Sequence, residues 1–239
     1  MIDNIIIFCA GRGNRMKHLS KNSPKSLIQI LQKPILYYSL ELCKIYPFKK
    51  IVINTHYLAD QIKEAVKSFK ENNPNFTEIE IIYEDELLET GGAIKNVQHL
   101  LGSKPIFAMN SDTIIKSEKN IFNELVERWQ PNKMEFLLLM HPTQEAIAYN
   151  GHGDFEINNE GKISRPDIKD KYSHIFSGLQ IIDPTRIYKN PLKIFSLREY
   201  YFNSKNVYGQ EIKGTKWYHA STPEDIVEIE IDMLAHEKI

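Results

Sequence analysis

The chain is predicted to adopt an α/β fold: a three-layer αβα sandwich with a mostly parallel central sheet and a small mixed or antiparallel extension. Three observations lead there. Short apolar runs alternate with segments of helical period over residues 3–109. Such βαβ alternation calls for a parallel sheet covered on both faces. From Asn150 onward the pattern changes to short strands broken by turn signals, and it returns to helix after Thr222.

Taken in order, residues 3–9 read as a strand because residues 5–8 form an unbroken apolar run. Residues 34–45 carry apolar side chains at helical spacing, and 50–54 are again short and apolar. Residues 58–69 have the 3.6 period and 78–83 the period of two. Residues 92–101 read as a helix and 105–109 as a buried strand. Turns are expected at Asn158-Asn159-Glu160-Gly161 and Asp183-Pro184. In Thr222-Pro223-Glu224-Asp225 a capping residue precedes proline at the first helical position and two acids in the first turn. No linker, repeat or low-complexity stretch interrupts the chain, so residues 1–239 read as one domain with parts 1–149, 150–221 and 222–239.

Composition narrows the function. The 239 residues are 42% hydrophobic and 26% charged with a net charge of −1, the profile of an ordinary globular protein. Neutrality implies no sequence-independent attraction to nucleic acid or to anionic membrane. The apolar start contains Asp3 and lacks a basic flank, which argues against a signal peptide. Cys9 and Cys43 have no metal-ligand spacing and read as reduced, buried thiols of a cytoplasmic protein.

Where the first strand stops, Ala10-Gly11-Arg12-Gly13-Asn14-Arg15-Met16 begins, and Pro24-Lys25 follows. Glycines two apart let backbone N–H groups approach phosphate oxygens while the cations offset their charge. A Walker loop needs Gly-Lys-Ser/Thr ahead of its helix, whereas Gly13 precedes Asn14. A dinucleotide fingerprint needs a third glycine where this chain has Met16. What remains is a loop for a triphosphate.

At this point the sequence resembles the sugar-1-phosphate nucleotidyltransferases, whose opening signature is A-G-x-G-x-R-M/L followed by P-K. Further matches run in order through Leu88-Glu89-Thr90-Gly91-Gly92-Ala93, Asn110-Ser111-Asp112, Gly151-His152-Gly153-Asp154-Phe155, Phe176-Ser177-Gly178 and Trp217-Tyr218-His219-Ala220-Ser221-Thr222. The resemblance spans roughly residues 2–236 and is closest to the uridylyltransferases acting on N-acetylmuramate 1-phosphate, with mannose-1-phosphate guanylyltransferases next. It implies a Rossmann-like fold of the nucleotide-diphospho-sugar transferase type. Residues 1–149 would bind nucleotide, 150–221 would bind sugar phosphate, and the partners would be a nucleoside triphosphate and a sugar 1-phosphate.

The resemblance also implies residue roles. Ala10, Gly11, Arg12 and Gly13 would cradle the β- and γ-phosphates, although Arg12 reads equally well as facing solvent. Arg15 would bind the leaving pyrophosphate, and Lys25 would neutralise the α-phosphate. Glu89, Thr90, Gly91 and Gly92 would border the nucleobase, the glycines allowing close approach to a flat ring. Asn110 sits beside Asp112, which matches the family's magnesium ligand. Gly153, Asp154 and Gly178 fall where the family lines its sugar pocket, though glycines at bulges and turns give the same letters. Trp217 reads as core.

The pattern breaks at one place. The family closes on W-x-D-x-G-T, its aspartate being the second magnesium ligand, and this chain has His219 and Ser221 there. A neutral imidazole is a poor magnesium ligand. Three readings stay open: Asp112 with phosphates and water suffices, the site uses manganese, or chemistry is impaired and the protein is a nucleotide-sugar sensor or regulatory subunit. His18, His56, His99, His141, His152 and His174 read as surface or satisfied polar residues.

Overall fold

The computed structural model describes residues 2–166 and 171–236. Its elements are β1 (Asn4–Phe8), β2 (Gln29–Ile30), β3 (Lys33–Pro34), α1 (Ile35–Cys43), β4 (Lys50–Thr55), α2 (Ala59–Glu71), β5 (Glu78–Tyr83), α3 (Glu89–Asn96), α4 (Gln98–Leu101), β6 (Ile106–Asn110) and β7 (Thr113–Ser117). There follow α5 (Ile121–Arg128), β8 (Phe136–Pro142), β9 (Glu156–Ile157), β10 (Ile163–Ser164), β11 (His174–Ile182), α6 (Thr185–Tyr188), α7 (Arg198–Asn203), β12 (Val207–Glu211), β13 (Thr215–His219) and α8 (Pro223–His236).

Seven strands form the central sheet in the order β12-β8-β11-β6-β1-β4-β5. β1 pairs in parallel with both β4 and β6, and β4 in parallel with β5. The period-two alternation then sorts side chains to two faces. Ile5, Ile7, Ile51, Ile53, Phe107 and Met109 point to one face with α1, α2 and α5, while Ile6, Val52, Ile106 and Ala108 meet α3, α4 and α6 on the other. The result is the expected three-layer α/β sandwich. Chain order reverses at β1: β4 and β5 lie on one side and β6 on the other. Ligands of such sheets bind above the strand ends at that switch point.

Local physics explains the helices. α2 buries Ala59, Ile62, Val66 and Phe69, the stripe its period predicts. At α5 the Asn120 side chain accepts from Asn123 N–H at 3.1 Å. α8 opens on a reciprocal cap: Asp225 N–H donates to Thr222 Oγ1 at 3.2 Å, and Asp225 Oδ2 accepts from Thr222 N–H at 2.8 Å and Ser221 N–H at 3.0 Å. Behind it Ile226, Ile229 and Met233 close a third apolar cluster with Met16, Ile30, Ile114 and Tyr218.

Two expectations change in detail. The helix expected over 92–101 begins earlier, at Glu89, and is interrupted at Val97 before α4. The antiparallel part of the fold is also built into the sheet more deeply than an appendage. β11 inserts antiparallel between β6 and β8 and β12 adds parallel to β8, while β9–β10 and β13–β7 form separate two-stranded antiparallel pairs. Alternation along the sequence reports strand existence, not the neighbour a strand chooses. No helix among the described residues is long and apolar enough to cross a membrane.

Candidate active site

A cavity of about 430 Å³ opens above the carboxyl ends of β1 and β6, lined by Ala10, Gly11, Gly13, Arg15, Lys25 and Asp112 among others. β1 delivers the chain to residues 9–13, and Gly13 turns it in the left-handed region at φ 65° into the 3₁₀ segment Asn14–Ser20. A side chain at Gly13 would also collide with Lys25, whose Cβ lies 2.6 Å from where a Gly13 Cβ would stand. The loop glycine thus makes room for the lysine. Ser20 Oγ donates to Gly13 O at 2.9 Å and ties the loop down.

From the neighbouring strand, Ser111 Oγ donates to Phe8 O at 2.6 Å, which pins the turn after β6 to the end of β1. Asp112 follows, and Lys25 Nζ donates to its Oδ2 at 2.8 Å. Burial by itself would raise the Asp112 carboxyl pKa. The Lys25 cation, helped by Arg15, overrides burial and holds it below the usual value, so the carboxylate stays ionised. Residues 87 positions apart in the chain therefore form one cation–carboxylate pair facing the cavity.

β13 runs antiparallel beside β7 with His219 opposite Thr113, and Ala220 N–H donates to Asp112 O at 3.3 Å. His219 stacks on the buried Trp217 ring, centroids 5.5 Å apart, and meets Tyr149 edge-on at 5.7 Å. Burial lowers its pKa, and Lys25 and Arg15 add to that, while Asp112 pulls the other way. A neutral imidazole thus stands within electrostatic reach of Asp112. Trp217 is core as expected, its Nε1 donating to Ser177 O at 2.8 Å.

The remaining sequence-derived residues divide. Glu89, Thr90 and Asn110 line the cavity. Arg12 is exposed and borders an outer concavity with Lys17, His18 and Lys21 instead. Gly91 and Gly92 are buried behind the cavity rather than in its wall. Both N–H groups donate to Phe195 O, at 2.9 and 3.1 Å, and a Cβ at Gly92 would lie 2.4 Å from Lys193 O. The pair of glycines lets α3 pack against residues 193–195, so the bare approach expected for a base is taken up by backbone. Gly153 and Gly178 both have positive φ, 77° and 91°. Gly178 sits at the β11 irregularity beside Asn110, whose Cβ would be 3.1 Å from an added methyl. Asp154 Oδ2 accepts from Phe176 N–H at 3.0 Å, and burial raises its pKa.

Sequence reasoning missed a hydrogen-bonded link in the cavity lining, made by Cys9, Asn54 and Glu84. Cys9 N–H donates to Asn54 Oδ1 at 3.1 Å, Asn54 Nδ2 donates to Glu84 Oε1 at 2.8 Å, and Leu88 N–H donates to Glu84 Oε2 at 3.3 Å. This chain ties the phosphate loop to the start of α3 through β4. The one signal available was polar residues at the ends of otherwise apolar strands. Cys9 and Cys43 are buried free thiols, and burial pushes Cys9 up to about 12. His141, expected at the surface or satisfied, is 3% exposed and packs at 6.2 Å from Trp217.

Amides, cations and one ionised carboxylate converging above a switch point make an α/β enzyme suited to moving a phosphoryl-linked group. The chain belongs to the nucleotidyl transferase family, whose sequence model matches residues 4–233. It is 27% identical over 196 residues, 80% of each chain, to an N-acetylmuramate alpha-1-phosphate uridylyltransferase of Caulobacter vibrioides. To a uridylyltransferase of the same name from Neisseria meningitidis it is 29% identical, over 75% of this chain and 74% of that one. A mannose-1-phosphate guanyltransferase of Hypocrea jecorina is 24% identical over 93% of this chain, which spans 62% of that protein. The fold superposes on HddC from Yersinia pseudotuberculosis complexed with GMP-PN at a TM-score of 0.78 and 22% identity, covering 97% of this chain and all of that one.

Proposed function

We propose that this nucleotidyltransferase moves a nucleoside monophosphate from its triphosphate onto a sugar 1-phosphate, and that the substrates are UTP and N-acetylmuramate 1-phosphate. A phosphate oxygen of the sugar attacks the α-phosphorus in line, the bond from that phosphorus to the bridging oxygen breaks, and pyrophosphate leaves with its electrons. The observation carrying the reading is the 2.8 Å Lys25–Asp112 pair facing a cavity shared with Gly11, Gly13 and Arg15. The choice of substrates is supported by the similarity, at 27% and 29% identity, to the two uridylyltransferases.

The residues divide the work between two polyanions. N–H groups of residues 11–13 would hold the β- and γ-phosphates, and Arg15 would receive charge on the departing pyrophosphate. An ammonium has three donors, so Lys25 can keep Asp112 and still reach an α-phosphate oxygen. Glu89 and Thr90 would border the base, and Gly153, Asp154 and Gly178 the sugar.

The resemblance implies a divalent metal, and the donor set limits how it is held. Among the described residues no group of three His, Cys, Asp or Glu side chains is placed to hold an ion. One ionised carboxylate with a neutral imidazole nearby fits a magnesium ion that brings phosphate and water ligands of its own, and an imidazole donor suits manganese too. Asp112 would hold it with His219 beside it, and bound there it would supply positive charge at the α-phosphate.

The test is pyrophosphate release with each nucleoside triphosphate and each sugar 1-phosphate, in magnesium and then manganese. Release with UTP and N-acetylmuramate 1-phosphate is expected. Release confined to GTP with mannose 1-phosphate would favour guanylyl transfer, the second reading, which the 93% coverage by the guanyltransferase supports. Nucleotide binding without release from any pair would make the protein a sensor, the reading His219 motivates.

A further inference from the structure

A second cavity, of about 390 Å³, lies away from the phosphate loop between β10 and α7. Arg165 and Arg198 line it with Ser164, Ser204, Phe155 and Phe202, and none of its lining residues is acidic. The two guanidinium carbons each stand 5.3 Å from the Phe202 ring centroid, and Arg165 also lies 5.1 Å from that of Tyr172. Phe202, 44% exposed, packs at 5.9 Å against Phe155. Aromatic faces hold planar guanidinium groups in place and offer an apolar surface to a sugar ring, while paired arginines match a carboxylate.

Position connects this cavity to the sugar end of the active site. Phe155 directly follows Asp154, and both N–H groups donate to His174 O, at 3.1 and 2.8 Å respectively. Asp154 is held in turn by Phe176 N–H, and its carboxyl feels the charges of Arg165 and Arg198 as well as that of His219. Asp154 is thus within electrostatic reach both of the two cavity arginines and of His219, which neighbours Asp112.

We propose that Arg165 and Arg198 bind a carboxylate carried by the sugar 1-phosphate, so that the enzyme selects acidic sugars over neutral ones. This rests on the transfer reaction proposed above and adds a residue basis for its sugar preference. The phosphate of the sugar lies against the α-phosphorus it attacks, and the second negative charge is engaged by the two arginines.

N-acetylmuramate 1-phosphate and N-acetylglucosamine 1-phosphate differ only by the lactyl ether that carries the carboxylate, which makes them a matched pair. The wild type is expected to prefer the acidic sugar in kcat/KM. Arg198→Gln and, separately, Arg165→Gln should each reduce the acidic-to-neutral ratio about tenfold, with Arg198→Lys retaining part of it. A wild-type ratio of one or below, an unchanged ratio in both variants, or equal losses on the two sugars would overturn the proposal, equal losses meaning that the arginines serve the phosphate both sugars share. The source of the anion is read by adding free N-acetylmuramate. Competition with the acidic sugar phosphate supports a substrate-borne carboxylate, whereas non-competitive inhibition or activation places a separate effector there and overturns it. If no sugar phosphate yields pyrophosphate, the transfer reading fails by itself, and the cavity is judged by calorimetric titration of N-acetylmuramate. Binding to wild type that weakens in Arg198→Gln supports the subsite, and no binding to wild type overturns it.

Discussion

The two walls proposed for the cleft are built by different means. On one side, residues 9–15 and 110–112 directly follow the parallel strands β1 and β6, so neighbours in the sheet become neighbours in the site. On the other, Gly153, Asp154 and Gly178, proposed to border the sugar, depend on an isolated bridge of Phe155 to His174 and on a register shift within β11. A wall made by strand ends places its groups wherever the sheet forms. A wall made by a bulge and a bridge needs several long-range contacts to be right together. The first is accordingly legible in short motifs, and the second is where substrate preference has room to vary.

The largest effect expected on the first wall is chemical. Lys25→Ala should lower kcat roughly a hundred- to thousandfold in a pyrophosphate-release assay, because it removes the cation aimed at the α-phosphate and leaves Asp112 without its partner. Retention of most activity would remove Lys25 from the chemistry and weaken the contrast between the walls.

Glycines sharpen the comparison through stability. Gly92→Ala should cost about 2 kcal/mol in urea unfolding, since the new methyl meets Lys193 O at 2.4 Å. Gly153→Ala should cost a similar amount, from a φ of 77° and the Tyr172 carbonyl at 2.5 Å. Gly11→Ala meets nothing within 4 Å and should change stability by less than about 0.5 kcal/mol, its effect showing instead in the KM for nucleotide.

Next in size is His219→Asp. Restoring a carboxylate beside Asp112 should lower the magnesium concentration for half-maximal rate about tenfold. An unchanged metal titration would show that position 219 is not a ligand.

The smallest effect is a pH dependence. Burial lowers the pKa of His141 below its ordinary value. The unfolded chain then binds the extra proton first, so stability is full above about pH 6.5 and falls as pH drops through that value. Between pH 7.5 and 5.5 the Tm of wild type should fall more than that of His141→Gln. Equal falls would place the titrating group elsewhere.

Much of the fold was readable because hydrophobic period is a local property. The unbroken apolar run of residues 5–8 and the stripe of Ile62, Val66 and Phe69 declare strand and helix without reference to anything distant. The cap at Thr222 and Asp225 was equally local. Arg15, Lys25 and Asp112 were found by motif, and parallel strands sharing one direction bring the loop before Arg15 and the turn at Asp112 to the same edge of the sheet. Gly91 and Gly92 illustrate the limit: the letters call for a bare backbone but not for what approaches it, and here that is the 193–195 segment. Asn54 and Glu84 were invisible, because a polar residue ending an apolar strand acquires its meaning only from the partner across the sheet.

By itself, then, the order of residues determined the layered architecture, the glycine loop after β1 and the chemical class of the reaction, since each depends on spacing along a short stretch of chain. Tertiary structure alone decided that β11 lies inside the sheet, that Lys25 meets Asp112, that His219 stands next to that pair on a tryptophan ring, and that two arginines share one cavity. These are long-range contacts among many that compete, and only the packed molecule selects between them.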